Sequence, residues 1–549
     1  MLILEANNIK KYYGDRLILD VPNLKIYQND RIGLVGMNGA GKTTLMDILS
    51  QRKEPDEGSV KLYGKHAYIN QLEDPDGSML TPKIAKELGV DAFNRHLSGG
   101  EKTRVKIAQG LSANSHILFA DEPTCNLDVN GIKLLEEKMV SFDGALLLIS
   151  HDRTLLDNLC NKIIEVCDGT IKEYMGNYSH YKTQKEMARD RQQFEYEQYI
   201  QKKQELEKAI TDRSRRAGKM KKTPARMGNS EARLHKRSTT GIQAKLRKTT
   251  KALETRVEKL EKKEKPKEMP KLRIDIPAIG KLYGKVVISG EGVGKAYGEK
   301  VLFQKSDFQI YNGDKVAFIG NNGTGKTTLL RMILAGEKGI STAKHLKIAY
   351  FSQALEGLDE NSTILEDIME TAIQPEYLVR TILARLLIKG DDVYKGINVL
   401  SGGERVKVAF AKIFVQDINM MILDEPTNFL DTGSIEALEE VLQSYKGTLL
   451  FVSHDRRFIR KIADKLMILE HQTLTMFDGD YNQYMESKEK QYHTGRKEIR
   501  NKLLLMENKL SEITIKLCMP SKDQDIEALD RQYKALAIEI KQLQALLDK

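Results

Sequence analysis

The apolar positions of the chain fall into three kinds of pattern. Short unbroken runs come first: Ile32–Val35 in "RIGLVG", "HILFADE" ending at Asp121 and Glu122, and "LLLIS" just before His151. Each has a counterpart further on, at Val316–Ile319, in "NMMILDE" ending at Asp424 and Glu425, and in "LLFVS" before His454. Runs this short and this rich in branched residues predict strands buried on both faces of a parallel sheet, whose C-terminal ends deliver the polar residues that follow. The second pattern is a sparse seven-residue repeat. Residues 182–212 and 240–264 are dense in Gln, Glu, Lys, Arg and Leu, with Leu246, Leu253 and Leu260 in heptad spacing and Val257 between them. This predicts two helices packed as an antiparallel hairpin. Gly218, Pro224 and Gly228 interrupt the helical pattern and place the turn within residues 214–237. About 30 residues per helix correspond to roughly 45 Å. The third pattern is a pair of stripes near the C-terminus. Ile499, Leu503, Met506, Leu510, Ile513 and Leu517 form one; Ile526, Leu529, Tyr533, Leu536, Ile540, Leu543 and Leu547 form the other. Alternating steps of four and three predict two coiled-coil helices, with a turn at Pro520.

The short runs belong to an internal repeat, because the same motifs recur in the same order. The interval from Ser98 to Asp121 equals that from Ser401 to Asp424, and the interval from Glu122 to His151 equals that from Glu425 to His454. Both copies close alike, on "GNYSHY" from Gly176 and "GDYNQY" from Gly479. A duplicated α/β domain is expected at residues 1–181 and 286–488, with a helical linker arm at 182–285 and a C-terminal extension at 489–549.

Composition narrows the class. The 549 residues are 40% hydrophobic, enough for two or three packed domains. No stretch reaches the roughly 18 apolar residues of a membrane helix, and the N-terminus lacks the order of a secretory signal, so a cytoplasmic protein is expected. Cys125, Cys160, Cys167 and Cys518 have no metal-ligand or disulfide spacing and read as small buried hydrophobes. The net charge of +10 is concentrated: residues 201–270 hold 23 Lys and Arg against 9 Asp and Glu, and between Arg213 and Lys248 there are 13 bases and one acid, Glu231. A segment this basic suits the phosphates of folded RNA, with Arg213, Arg215, Arg216, Lys219, Lys221, Lys222, Arg226, Arg233, Lys236 and Arg237 as the contacting residues.

The chemistry follows from what each strand delivers. Ile32–Val35 and Val316–Ile319 lead into G-x-x-x-x-G-K-T at Gly36–Thr43 and Gly320–Thr327, followed by a helical pattern. This is a phosphate-binding loop: its glycines let backbone amides turn inward, and the helix N-terminus adds a favourable dipole. Gly36, Asn38, Gly39, Gly41, Lys42, Thr43 and Thr44 form the first cradle, and Gly320, Asn322, Gly323, Gly325, Lys326, Thr327 and Thr328 the second. Lys42 and Lys326 reach the terminal phosphates, while Thr43 and Thr327 offer hydroxyls to Mg²⁺. Asp121 and Asp424 bind the same ion; Glu122 and Glu425 orient and polarise the attacking water. His151 and His454, at identical offsets from the glutamates, read as γ-phosphate sensors.

"LSGGE", present at both Leu97–Glu101 and Leu400–Glu404, carries a resemblance to the ATP-binding cassette ATPases that covers both halves. It implies that Ser98, Gly99, Gly100 and Glu101, and likewise Ser401, Gly402, Gly403 and Glu404, cap the γ-phosphate held by the opposite half. The chain would then be a monomer with two composite ATP sites and no obligatory protein subunit. By the same resemblance Gln71 and Gln353 contact Mg²⁺ and water, and Tyr13 and Tyr297, equally far ahead of their P-loop lysines, stack on adenine. One departure is Cys125, where the second copy and the family have Asn428.

Most such cassettes power membrane transporters, but the intervals from P-loop lysine to signature serine, Lys42 to Ser98 and Lys326 to Ser401, are short, the first more so than the second. That leaves limited room for a transporter-contacting region, and the long basic helical connection is unlike a passive tether. Two cassettes, no membrane segment and an interdomain arm resemble the ABC-F family of translation-associated ATPases. Within it "LKIYQNDRIGL", "LSGGERVKVA" and "LDEPTNFLD" resemble the Vga-type antibiotic-resistance group. This implies that the ATP-bound form enters the E site of the 70S ribosome and sets its arm against 23S rRNA and the P-site tRNA. Displacement of a lincosamide, pleuromutilin or streptogramin A, and departure on hydrolysis, would follow. An ABC-F translation factor without a resistance role and a transporter ATPase are the alternatives.

Overall fold

Every short apolar run named above becomes a central strand with no solvent on either face. The computed structural model describes residues 1–70, 81–88, 99–219, 229–263, 265, 284–352, 357–388, 390–518 and 526–547. The chain divides into two units, with Met1–Asn126 and Lys133–Arg273 in the first and Leu127–Ile132 and Ile274–Lys549 in the second.

In the first unit β1 (Leu2–Tyr13) and β2 (Arg16–Tyr27) form an antiparallel hairpin closed by Gly14 and Asp15, with Tyr13 paired to Arg16. Then come β3 (Arg31–Gly36), α1 (Lys42–Leu49), β4 (Glu57–Leu62), β5 (His66–Ile69), α2 (Pro82–Glu87), α3 (Gly99–Ser112), β6 (Ile117–Asp121), α4 (Val129–Val140), β7 (Ala145–Ile149), α5 (Arg153–Leu159), β8 (Lys162–Cys167) and β9 (Thr170–Met175). The order β5-β6-β7-β3-β8-β9 is parallel apart from the β8–β9 pair, and a second sheet is ordered β2-β1-β4. Leu4, Ile9, Leu19, Ile26, Leu45, Phe119 and Leu147 belong to one buried cluster that joins these sheets to α1.

Two helices complete the first unit: α6 (Tyr178–Lys219) and α7 (Asn229–Glu258). At 42 residues, α6 is about 63 Å long. Its first turn is seated from outside: the Asp157 carboxylate on α5 accepts from the Ser179 backbone N–H at 2.6 Å and from its hydroxyl at 2.7 Å. Further along, Lys185 donates to the buried Glu165 on β8, which also accepts from the Tyr174 hydroxyl at 3.3 Å. The helices run antiparallel, since Phe194 and Tyr199 line one groove with Leu260 and Lys263, and Arg213 lines another with Ile242 and Leu246.

The hairpin differs from expectation in its limits. Gly218 does not interrupt α6, which continues to Lys219, and α7 starts at Asn229. A single glycine costs a helix only about 1 kcal/mol, little against the length of the packed helix. Much of the stretch 214–237 is thus helix rather than turn, and Pro224 and Gly228 lie outside the described residues. At the other end α7 stops at Glu258, so Leu260 packs from beyond the helix. The expected boundary at 181/182 falls inside α6.

The second unit repeats the plan with β10 (Val286–Tyr297), β11 (Lys300–Tyr311), β12 (Lys315–Gly320), α8 (Lys326–Ala335), β13 (Ile340–Thr342), β14 (Ile348–Phe351), α9 (Ile364–Thr371), α10 (Glu376–Arg385), α11 (Gly402–Phe414), β15 (Met420–Asp424), α12 (Thr432–Ser444), β16 (Thr448–Val452), α13 (Arg456–Ile462), β17 (Lys465–Glu470) and β18 (Thr473–Phe477). Its large sheet is ordered β14-β15-β16-β12-β17-β18, matching the first strand for strand, and its small sheet β11-β10-β13. A capping box between Thr363 and Glu366 starts α9. The unit ends in α14 (Tyr481–Cys518) and α15 (Ile526–Leu547), bridged by Lys502 and Glu539 at 3.5 Å. Because α14 runs unbroken from Tyr481, the expected boundary at 488/489 also falls inside a helix. Pro520 lies outside the described residues. Among the cysteines, Cys160 is buried as expected, whereas Cys167 is exposed beside the β8–β9 turn and Cys125 is half-buried.

Candidate functional site: two phosphate cradles, each facing a carboxylate pair

Each P-loop is the turn between the central strand of the large sheet and the helix behind it. At Gly36 a Cβ would lie 2.5 Å from the Val166 carbonyl oxygen, and at Gly320 2.7 Å from that of Leu469, so only glycine lets the strand end pass its neighbour. The helix N-caps Gly41 and Gly325 sit at φ 95° and 108°, the left-handed region that favours glycine. The loop then curls around its own lysine. Lys42 Nζ donates to the carbonyls of Gly36 at 2.9 Å and Met37 at 3.0 Å; Lys326 Nζ donates to Gly320 at 2.8 Å and Asn321 at 3.0 Å. Both lysines are 8% exposed, and burial holds the Lys326 ammonium below its ordinary pKa. Asn38, Gly39 and Thr44, with Asn322, Gly323 and Thr328, complete the two loops.

The carboxylates arrive on the neighbouring strand but one. Asp121 ends β6 and pairs with Ile149; Asp424 ends β15 and pairs with Val452. Burial raises the pKa of both, opposed by hydrogen bonds from Thr43 to Asp121 and from Thr327 to Asp424. The structure therefore brings each expected threonine and aspartate together. One residue on, Glu122 and Glu425 take φ 48° and 52°. This is a sparsely populated conformation for glutamate, fixed by backbone N–H bonds to Ile149 O at 2.9 Å and Val452 O at 3.0 Å. Burial drives the Glu122 carboxyl up to about 8, with the Asp121 charge adding to it, and the Glu425 carboxyl up to about 7. Their Oε1 atoms are buried without a hydrogen-bond partner. His151 Nε2 approaches the first at 3.4 Å and His454 Nε2 the second at 3.2 Å. Burial, reinforced by Lys326, lowers His454 to about 3, so it is a neutral imidazole facing a carboxyl that titrates near neutrality. Asp152 and Asp455 N-cap the helices after these histidines.

Tyr13 and Tyr297 end the first strands of their hairpins, 51% and 59% exposed, so each offers a ring face to solvent. Ser401 caps α11 through a capping box with Glu404, and Gly402 and Gly403 form its first turn. Gly99, Gly100 and Glu101 form the first turn of α3. Ser98, Gln71, Gln353, Lys221, Lys222 and Arg226 lie outside the described residues. Arg213 is half-buried on α6 and Arg215 and Arg216 are exposed there; Lys219 ends α6, and Arg233, Lys236 and Arg237 fall within α7. Motif spacing does not single out Thr103, whose hydroxyl donates to the carbonyls of Gly99 and Cys125, both at 3.1 Å. It misses Asp47 and Arg331 too. The signal that finds them is a difference between the copies: in register, Thr103 stands against Val406 and Asp47 against Arg331.

A lysine-filled loop at the end of a central strand, facing a buried Asp–Glu pair two strands over and repeated in two units, defines a duplicated P-loop ATPase. A family profile described as "ABC transporter" matches residues 19–81, 79–125 and 303–428. The chain is 34% identical over 453 residues to the erythromycin resistance ATP-binding protein MsrA of Staphylococcus epidermidis, covering 81% of this chain and 93% of that one. It is 31% identical over 553 residues to the ribosome protection protein VmlR of Bacillus subtilis, covering 98% of both. In fold it resembles the archaeal ribosome recycling factor aABCE1, solved with the stalk protein aP1, at a TM-score of 0.58 and 20% identity over 87% of this chain and 92% of that one. The chain belongs to the ABC-F family of ATP-binding cassette proteins and is an ATPase. Among the described residues no helix is long and apolar enough to cross a membrane.

Proposed function

We propose that this ATPase binds the 70S ribosome and protects translation from antibiotics that act at the peptidyl-transferase centre, lincosamides, pleuromutilins and streptogramin A among them. The observation that carries the proposal is the likeness over 98% of both chains to a ribosome protection protein, which takes in the arm as well as the two sites.

The site residues fit ATP with Mg²⁺, because in each unit an exposed threonine hydroxyl bonds a buried aspartate beside a glutamate oxygen that has no hydrogen-bond partner. When bound, Mg²⁺ neutralises charge on the phosphates and polarises them. Thr43 with Asp121, and Thr327 with Asp424, hold the ion, joined by Gln71 and Gln353. Lys42 and Lys326 exchange their loop carbonyls for phosphate oxygens. The unpaired Oε1 of Glu122 or Glu425 accepts a hydrogen bond from the attacking water and orients it. His151 and the neutral His454 sense the γ-phosphate beside that oxygen. Tyr13 and Tyr297 stack on adenine, and the signatures Ser98–Glu101 and Ser401–Glu404 supply a serine hydroxyl and a helix N-terminus as an anion clamp. The basic end of the arm, from Arg213 to Arg237, lies against 23S rRNA and the P-site tRNA in the E-site-bound state. Hydrolysis releases the protein.

Glu122→Gln with Glu425→Gln should bind ATP without turning it over and accumulate on ribosomes. Cosedimentation with 70S particles in ATP, followed by drug-tolerance assays in cells carrying the active protein, tests the reading. Comigration with raised tolerance supports it; comigration without tolerance leaves a translation factor. Absence of comigration while ATP stays bound would sink the ribosomal reading and return the search to membrane partners.

A further inference from the structure

With the two P-loop helices in register, Asp47 stands where the second unit has Arg331, each five residues after its lysine. Each is also four residues beyond the threonine that bonds the strand aspartate, Thr43 or Thr327. One helical turn apart on the same face, their Cβ atoms are about 6 Å from those threonines. Asp47 is held in place: its carboxylate accepts from the Tyr68 hydroxyl on β5 at 3.1 Å and pairs with Lys53 at 2.8 Å, leaving the side chain 13% exposed. Lys53 is itself half in water, so its charge is solvent-screened and offsets the carboxylate only in part. Arg331 is exposed on α8. Asp47 acts on Asp121 and Arg331 on Asp424 with opposite sign, Arg331 the more weakly because it is exposed and screened by solvent.

A nucleoside triphosphate is a polyanion that a divalent cation partly neutralises. A carboxylate beside the cation position attracts the cation and repels the bare phosphates; a guanidinium does the reverse. We propose that the residue at this position makes the two sites unequal in their need for the divalent cation, Asp47 giving the first a strict requirement and Arg331 letting the second hold nucleotide with less help from it. The proposal rests on the reading of Thr43, Asp121, Thr327 and Asp424 as metal-site residues.

The test measures binding in the full-length protein. Lys326→Ala leaves the first site as the nucleotide binder, and Lys42→Ala leaves the second. Each is titrated with a fluorescent ATP analogue in Mg²⁺ and again in EDTA. The gain in affinity from Mg²⁺ should be about tenfold larger for the first site than for the second. Asp47→Arg should shrink the gain at the first site, and Arg331→Asp should enlarge it at the second. Asp47→Asn, which removes the charge and keeps an acceptor for Tyr68, should shrink it partway, and unfolding temperatures of all variants check that the fold is kept. Equal gains in the two single-site proteins, or gains unmoved by the exchanges, would overturn the proposal and leave the metal reading standing. No gain at either site would overturn both.

Discussion

The two units carry the same phosphate loop and surround it differently. The lysine bonds agree to about a tenth of an ångström, and both glutamates share one uncommon backbone conformation. Between loop and signature the copies part: the second unit interposes α9 and α10 over a core in which Phe351 stacks on Phe410 at 4.4 Å, where the first has Ile69 and Ile107. Thr103 ties α3 to the Cys125 carbonyl, where the second copy has buried Val406. Charge reverses at Asp47 and Arg331. The loop, the carboxylates and the contacts that join them have survived duplication, whereas the side chains packed around them have diverged.

The sharpest way to break this comparison is to disable one glutamate at a time. Loss of a water-orienting base costs about 10²–10⁴-fold in rate, so Glu122→Gln with Glu425→Gln should abolish measurable ATPase turnover. Equal sites would lose comparable activity in the two single variants, and a larger loss from either one would show in steady-state phosphate release which site carries the flux.

The same carboxyls make stability pH-dependent. Their folded pKa values, about 8 and about 7, lie above the ordinary 4.5. The nucleotide-free protein is therefore fully stable with respect to them below pH 4.5 and loses stability as pH rises through 7 and then 8. Amide replacement should raise the unfolding temperature by roughly several degrees near pH 8.5 and by little near pH 5. The gain from Glu425→Gln should level off near pH 7, whereas that from Glu122→Gln should keep growing to about pH 8. A gain flat across that range would contradict the burial of these groups.

Helix roots offer a smaller contrast. Asp157→Ala removes two hydrogen bonds that join α5 to α6 and should cost about 1–2 kcal/mol. Asp480→Ala removes only a local cap on α14, made to the Asn482 and Gln483 amides, and should cost about 1 kcal/mol by denaturant unfolding. Thr103→Val should likewise cost about 1 kcal/mol. A neutral result would mean that the Cys125 carbonyl finds another donor.

Much of this was legible in the sequence. Strands β6 and β15 are five consecutive buried residues each, and unbroken apolar runs announce such strands. The glycine spacing announces the P-loop because close backbone approach permits little else. The start of α6 was not legible, since it depends on Asp157, which lies well before Ser179 in the chain and on another helix. Nor was its continuation through Gly218, because a local breaker is outweighed by a long helix. The strained glutamates were hidden for a similar reason: their φ angles are imposed by hydrogen bonds to Ile149 and Val452, on strands the chain forms only after a further helix.

The seat of α6 at Asp157 is also a fulcrum. Helix α5 begins two residues after His151 and is about 10 Å long, while α6 is about 63 Å. Ser179 is gripped through both its amide and its hydroxyl, so the root of the long helix is fixed to the short one. A small tilt at this joint would be read out over the length of α6, as travel at Lys219 gained at the expense of force.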